Sequence, residues 1–339
     1  MVEVNSHFSL ENEEGMSGSC DLCGADDHDG LFEGADLRHP VPGRFRLVRC
    51  CSCGLVYMSP RPDDETLNAH YPEDYLPYNP TSGVQRWIKA ALRRREAAGL
   101  VRLLPPTAKV LEIGCAAGDL LAPLSDLGCN VIGIEMSEYA AAYARDCLGL
   151  DVLTGRLAEH DLPAQSFDAV VMRNVIEHLP SPAADLRRVA RLLKEGGRLF
   201  IATDNVASLD CRLFGEFWYG FDVPRHLVLY SPATLTAVLE RNGFAVGAVR
   251  FSLVPNHWAV STRYVLENRF GQRAWLRRLF SLKNLPLLAA LVPLTFVQRL
   301  LKNGGRMSVV ATRRQQSDPS SDVDNSKVTR RTSAGGLTS

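Results

Sequence analysis

Three sets of residues in this chain have the types and spacing that chemistry needs. The first is the run Glu112-Ile113-Gly114-Cys115-Ala116-Ala117-Gly118 together with Glu135. Small residues at 114, 116 and 118 let backbone approach a ligand closely, and the amphipathic segment beyond them offers free N–H groups at its start. Glu135 ends the next apolar run, where a carboxylate can accept hydrogen bonds from both hydroxyls of a ribose. The second set is Cys20, Cys23, Cys50 and Cys53, two C-x-x-C pairs separated by twenty-six residues. Two such pairs brought together supply four thiolates in tetrahedral array, the usual structural zinc site. Gly24 and Gly54 follow the second cysteine of each pair, which suits the tight turn of a metal knuckle. Cys51 stands close enough to substitute for Cys50 or Cys53. The third set is His178, directly after Glu177, and His226, in a stretch over 214–227 dense in aromatic residues that includes Tyr219. His178, His226 and, third, Tyr219 are candidate general bases.

The elements that must position these groups follow from periodicity. A short apolar run reaching Glu112, a turn of Gly and Ala, and apolar residues at Leu120, Leu121, Leu124 and Leu127 predict strand, turn and helix, the opening of a βαβ unit. Strands are expected near 109–113, 130–135, 151–154, 167–172 and 197–203, a sixth at 245–251 after a helix over 234–241, and a seventh at 307–312. A helix carrying Trp87, Ile88, Ala91, Leu92 and Leu100 leads into them. The boundaries read as a loose leader over 1–18, a cysteine module over 19–62, a connector and helix over 63–104, the main domain over 105–314 with a basic and apolar insert at 252–305, and a disordered Ser-, Asp- and Thr-rich tail over 315–339.

The run from Glu112 to Gly118 is similar to the E/D-x-G-x-G-x-G motif of class I S-adenosylmethionine-dependent methyltransferases, with Ala116 in place of the middle glycine. The segments 167–172, Asn174-Val175-Ile176-Glu177-His178-Leu179 and 192–201 resemble that family's later motifs in order and spacing. The resemblance covers about two hundred residues. It implies an α/β, Rossmann-like seven-stranded sheet, mostly parallel with an antiparallel seventh strand, and S-adenosylmethionine as cofactor. On that reading Gly114, Ala116 and Gly118 flank the methionine moiety, which Glu112 orients. Glu135 takes the ribose, Met136 packs on the adenine, Leu157 lines its edge, and Asn174 faces donor or acceptor. In several relatives the pattern E-x-x-E-H binds a divalent cation, and here Asn174 stands where the first Glu would be. Glu177 and His178 are expected on the first turn of the next helix, beside Asn174 at i+3 and i+4. Capping by Glu177 and a plain structural hydrogen bond from His178 or His226 are the alternatives. The cysteine spacing, with the run 56–62 after it, resembles zinc-ribbon modules ahead of some bacterial small-molecule methyltransferases.

With 339 residues the chain can form about two domains. Lys+Arg and Asp+Glu balance at 38 each, and the cysteine module carries few arginines, so nothing favours nucleic acid. Nine cysteines without a secretion signal fit a reducing cytoplasm, where Cys115, Cys129, Cys147 and Cys211 serve as packing residues. No apolar run reaches membrane-spanning length. The reading that best joins these features is methyl transfer to a small molecule or to a sugar- or lipid-linked acceptor. Its competitors are an RNA or protein methyltransferase that recognises substrate through the ribbon, and a non-enzymatic S-adenosylmethionine-binding protein.

The insert separates strands that a short hairpin joins in most relatives. From 263 to 306 it carries basic residues against one acid, Glu267, around the apolar run 285–297. This predicts a helical cap, a dimer contact, or a peripheral surface lying on anionic lipid at the inner membrane face.

Overall fold

Each strand of the central sheet alternates between two apolar environments, because helices cover both of its faces. The computed structural model describes residues 19–39, 41–71 and 83–314; the expected leader and tail lie outside the described residues. The chain opens with three antiparallel strands, β1 (His28–Gly34), β2 (Phe45–Cys50) and β3 (Val56–Met58), followed by helices α1 (Asp64–Ala69) and α2 (Gly83–Val101). Then come β4 (Lys109–Ile113), α3 (Leu121–Asp126), β5 (Asn130–Glu135), α4 (Glu138–Leu148), β6 (Val152–Thr154) and β7 (Phe167–Arg173). After α5 (Pro182–Leu192) the chain forms β8 (Leu193–Asp204), α6 (Leu209–Phe214), the short β9 (Val228–Leu229) and α7 (Pro232–Arg241). It ends in β10 (Phe244–Val246), β11 (Arg250–Ser252), helices α8 (Pro255–Phe270), α9 (Ala274–Leu279) and α10 (Leu285–Leu300), and β12 (Arg306–Arg313).

The main sheet has the order β10-β12-β8-β7-β4-β5-β6 with β11 also on β12. Strands β4 to β8 run parallel to their neighbours, and β12 is antiparallel to β8, as expected of the seventh strand. Val110, Ala169, Val171 and Phe200 face α2 and α3, while Leu111, Val170, Met172 and Ile201 face α5 and α7. Helix starts obey side-chain capping: Ser137 accepts from the Ala140 amide ahead of α4, and Ser231 from Thr234 ahead of α7.

Three expectations change on folding. The sixth strand divides into β10 and β11 around Gly247, whose amide donates to Val310 O at 3.0 Å; a Cβ there would lie 2.8 Å from that same oxygen. Glu177 and His178 do not share a helix with Asn174. They occupy a separate 3₁₀ turn, Ile176–His178, because Asn174 has a left-handed φ of 52° and Pro180 prevents that turn from running on into α5. Finally, α2 buries only Ala97, leaving Trp87 at 73% and Leu92 at 59% exposure.

The sheet of the cysteine module also crosses the expected boundary at 62. β3 pairs with β9 from the far side of the main domain, through Val56 with Leu229 and Tyr57 with Val228. One apolar core runs from Leu22, Leu47 and Tyr57 to Ile113, Met172 and Leu235. Arg61 reinforces this by reaching both Asp21 and Pro180 O.

Candidate active site and cysteine centre

At the carboxyl ends of β4 and β5 the backbone forms an open cradle. Gly114 has φ 69° and Gly118 φ 81°, both in the left-handed region that favours glycine. A Cβ on Gly114 would meet Val175 Cγ2 at 2.4 Å, and one on Gly118 would meet Leu150 Cδ1 at 2.6 Å. Ala116 holds φ 47° despite its methyl group, and Asn174 across the site is also left-handed. Strained non-glycine residues of this kind persist where surrounding structure fixes them, and they cluster at functional sites.

Glu135 organises the cradle. Its Oε2 accepts from the Ala116 amide and its Oε1 from the Ser137 amide, both at 2.8 Å. Burial raises its pKa, and the amides of Ser137, Ala116 and Met136 oppose that. A carboxylate has about four acceptor sites, so two remain for hydroxyl groups such as those of a ribose. Met136 stands 54% exposed at the end of β5, able to cover a flat ring, whereas Leu157 is buried in the core. Glu112 lies beneath, with its Oε2 buried and without a hydrogen-bond partner. Burial pushes its pKa up to about 8, and the Arg173 guanidinium at 3.8 Å only partly offsets this. An orphaned buried carboxyl oxygen beside a glycine cradle can hold a cationic ligand group.

Across the site, at the ends of β7 and β8, three acceptors converge. The Nδ1 of His178 lies 2.8 Å from Arg225 O, and the Nδ1 of His226 lies 2.8 Å from Gly220 O. A carbonyl can only accept, so each Nδ1 carries a proton. Glu177 is buried and neither carboxylate oxygen has a hydrogen-bond partner; the nearby Thr203 hydroxyl is also unsatisfied. One ligand atom each from Glu177, His178 and His226 fits within 4.8 Å of the others, a group able to hold a metal ion or to take up a proton. Burial, and then the neighbouring His226, lower the His178 pKa to about 3, so its ring is neutral in ordinary buffers.

Tyr219 sits one layer back. Its hydroxyl accepts from Arg38 at 3.3 Å, and burial raises the phenol pKa. It is thus poorly suited to accepting a proton near neutrality.

Sequence patterns gave no warning of what holds this side of the site. Arg225 is wholly buried and bidentate on Asp36, at 2.6 and 2.9 Å, with Asp222 at 2.7 Å and His70 O at 3.0 Å. Burial works against its charge, and Asp36 and Asp222 overcome that, raising its pKa. Asp222 also binds Arg38, while His70 Nδ1 donates to the Asp36 carboxylate at 2.9 Å. Asp36 and Arg38 belong to the cysteine module, and Asp222 and Arg225 to the loop carrying His226. The main chain makes the same link, since Leu227 donates to Glu177 O and accepts from Met58 N. Behind them His257 bridges Asp204 at 3.5 Å and Asp210 at 3.2 Å.

The cysteine centre lies at the outer end of that module. Cys20 and Cys53 sulfurs are 3.4 Å apart, as are those of Cys23 and Cys50, and all four fall within 4.8 Å of one another. A tetrahedral ion with bonds of about 2.3 Å would set its sulfurs roughly 3.8 Å apart, so the four thiols fit zinc. Gly24 donates to Cys20 O at 2.7 Å and Gly54 to Cys50 O at 2.9 Å, giving two matching knuckles. Cys51 is exposed and outside the cluster, which removes it as a substitute ligand.

Comparison with known proteins agrees with this geometry. Residues 84–249 match the family model described as a methyltransferase domain. The chain is 39% identical over 154 residues to the ubiquinone biosynthesis O-methyltransferase of Xanthomonas axonopodis, covering 42% of this chain and 64% of that one. It is 33% identical over 157 residues to the human mitochondrial ubiquinone biosynthesis O-methyltransferase, covering 42% of each. The match thus spans between two fifths and two thirds of these relatives' own lengths. Among solved structures, an S-adenosylmethionine-dependent methyltransferase from Archaeoglobus fulgidus aligns at 17% identity over 66% of this chain and 94% of that one, with TM-score 0.45.

Proposed function

Because its main domain belongs to the class I S-adenosylmethionine-dependent methyltransferases, we propose that this protein methylates a hydroxyl group on a small molecule. One observation carries the reading: the rings of His178 and His226 gather with the buried Glu177 beyond the left-handed turn of Gly114 to Gly118. When bound, S-adenosylmethionine supplies an electrophilic methyl group on a sulfonium. The chain's own residues do the rest. Glu135 takes the ribose hydroxyls, Gly114, Ala116 and Gly118 admit the methionine moiety, and Glu112 faces its ammonium. Burial leaves His178 a weak base, at about 3, so His226 is the residue that would accept the acceptor's hydroxyl proton on methyl transfer. Holding the partners in line supplies several kcal/mol of the rate enhancement. A lipid-linked acceptor suits the exposed face of the insert treated below.

A second role for the same three side chains is coordination of a divalent cation, which would polarise the acceptor hydroxyl. The gathering of one carboxylate and two imidazoles within 4.8 Å favours it. Turnover unaffected by chelator would leave the histidines as bases alone.

Zinc at Cys20, Cys23, Cys50 and Cys53 is structural in this reading, because four protein ligands leave no open position. Metal analysis should find one ion per chain. Zinc retained in a Cys20→Ser/Cys23→Ser variant would refute the assignment.

The deciding experiment incubates purified protein with labelled S-adenosylmethionine and fractionated cell extract. Label in the small-metabolite or lipid fraction supports the proposal. Label in RNA or protein moves it to the ribbon-recognition class, and cofactor binding with no transfer leaves a non-enzymatic binder.

A further inference from the structure

Helix α10 keeps Leu287, Leu288, Leu291 and Leu294 half-buried on its inner side and turns other large apolar residues outward. The residues it buries are polar, Thr295 and Gln298, while Phe296, Val297 and Leu300, with Leu301 just beyond, stand 48–66% exposed. The inward polar face has partners: Gln298 donates to Asp210 at 2.9 Å and accepts from Trp258 at 2.8 Å. Among the described residues no such partner is recorded for the outward face. The neighbouring α9 adds Trp275 at 60% exposure, and Gln85 of α2 bonds to Leu282 O, which holds the α2 end bearing Trp87 beside the insert. Exposed aromatic and aliphatic side chains thus gather on one helical layer, far beyond the scattered exposure ordinary on a protein surface.

Charge identifies what this layer meets. Arg269, Arg273, Arg278, Lys283, Arg299 and Lys302 are exposed around the apolar residues, and Glu267 is the single acid between 263 and 306. A symmetric contact with a second copy would set those cations against one another. An anionic surface would instead neutralise them. Among the described residues no helix is long and apolar enough to cross a membrane, so contact must be peripheral.

We propose that α9 and α10, flanked by the start of α2, form a docking face for the anionic surface of a lipid bilayer. α10 lies in the headgroup plane with Phe296 and Leu300 in the acyl boundary and the basic side chains among phosphates. Trp87 and Trp275 take the interfacial depth that indole rings favour. The face is separate from the transfer chemistry, so its test requires no turnover.

The test floats the full chain with phosphatidylcholine vesicles with or without phosphatidylglycerol. Binding should require the anionic lipid and weaken as salt rises. Arg278→Glu/Lys283→Glu/Arg299→Glu should lower partitioning by roughly a hundredfold or more, and Phe296→Ser/Leu300→Ser by at least about tenfold. Unchanged S-adenosylmethionine affinity in both variants would verify that they fold. Failure of the parent chain to float at low salt overturns the proposal, as does undiminished binding in both variants. A concentration-dependent dimer that Phe296→Ser/Leu300→Ser dissolves would also overturn it, giving the face to a second copy.

Discussion

The two sides of the candidate site are built in opposite ways. The cofactor side is local: Gly114 to Glu135 spans one βαβ unit, and Glu135 bonds to amides only two and nineteen residues away. The acceptor side is assembled at long range. Arg225 reaches Asp36 across 189 positions, and Arg38 reaches Asp222 across 184. A local cradle needs little beyond the sheet to keep its shape. A side held by buried ions depends on every partner, since removing one leaves an uncompensated charge. The cysteine module therefore meets this side of the site through Asp36 and Arg38 rather than through its sulfurs.

The strongest break of this contrast lies in the proposed bases. His226→Ala and His178→Ala should each lower kcat by about 10²–10⁴ if that residue takes the proton, leaving S-adenosylmethionine affinity nearly unchanged. Parallel loss of cofactor affinity in calorimetry would mean that the two sides are one structural unit. Asp36→Ala strands the Arg225 guanidinium and should cost about 3–5 kcal/mol of stability. In protein that remains folded, turnover should fall while cofactor affinity stays within about twofold, because the cradle shares none of those ion pairs. Thermal unfolding unchanged from the parent would remove the network's structural importance.

On the cofactor side the expected effects are smaller. Glu135→Ala removes charged hydrogen bonds worth about 1.5–3 kcal/mol each, and should weaken S-adenosylmethionine at least tenfold. Unaltered affinity would reject the ribose assignment. Glu112 supplies a pH test. Its free carboxyl is held up to about 8 by burial, and a bound ammonium would lower that pKa. Below that pH binding must release a proton, so affinity should rise with pH, by up to about tenfold per unit, and level off above pH 8. Glu112→Gln should flatten the profile. A profile already flat in the parent would take Glu112 out of contact with the cofactor. Ala116→Gly is the mildest case, relieving a left-handed alanine and shifting stability by about 1 kcal/mol or less, readable in chemical unfolding.

What the sequence determined is what short range can encode. The strands from β4 to β8, the left-handed glycines of the cradle, the cap at Ser231 and the paired cysteine knuckles all follow from neighbours within a few residues. The antiparallel seventh strand was legible because its family motifs arrive in order. Only the tertiary structure decided the rest. The pairing of β3 with β9 joins the cysteine module to the main domain, and no local pattern near Val56 or Val228 specifies it. Asp36 and His70 have no motif, yet the fold buries them against Arg225. The left-handed Asn174 and Pro180 took Glu177 off the helix that spacing suggested and turned it toward His226. The apolar run 285–297 left a helical cap, a dimer contact and a lipid surface open, and the bonds of Gln298 to Asp210 and Trp258 decided which side of α10 turns inward. Periodicity records which residues resemble one another, whereas the side that meets the core depends on what the rest of the chain presents there.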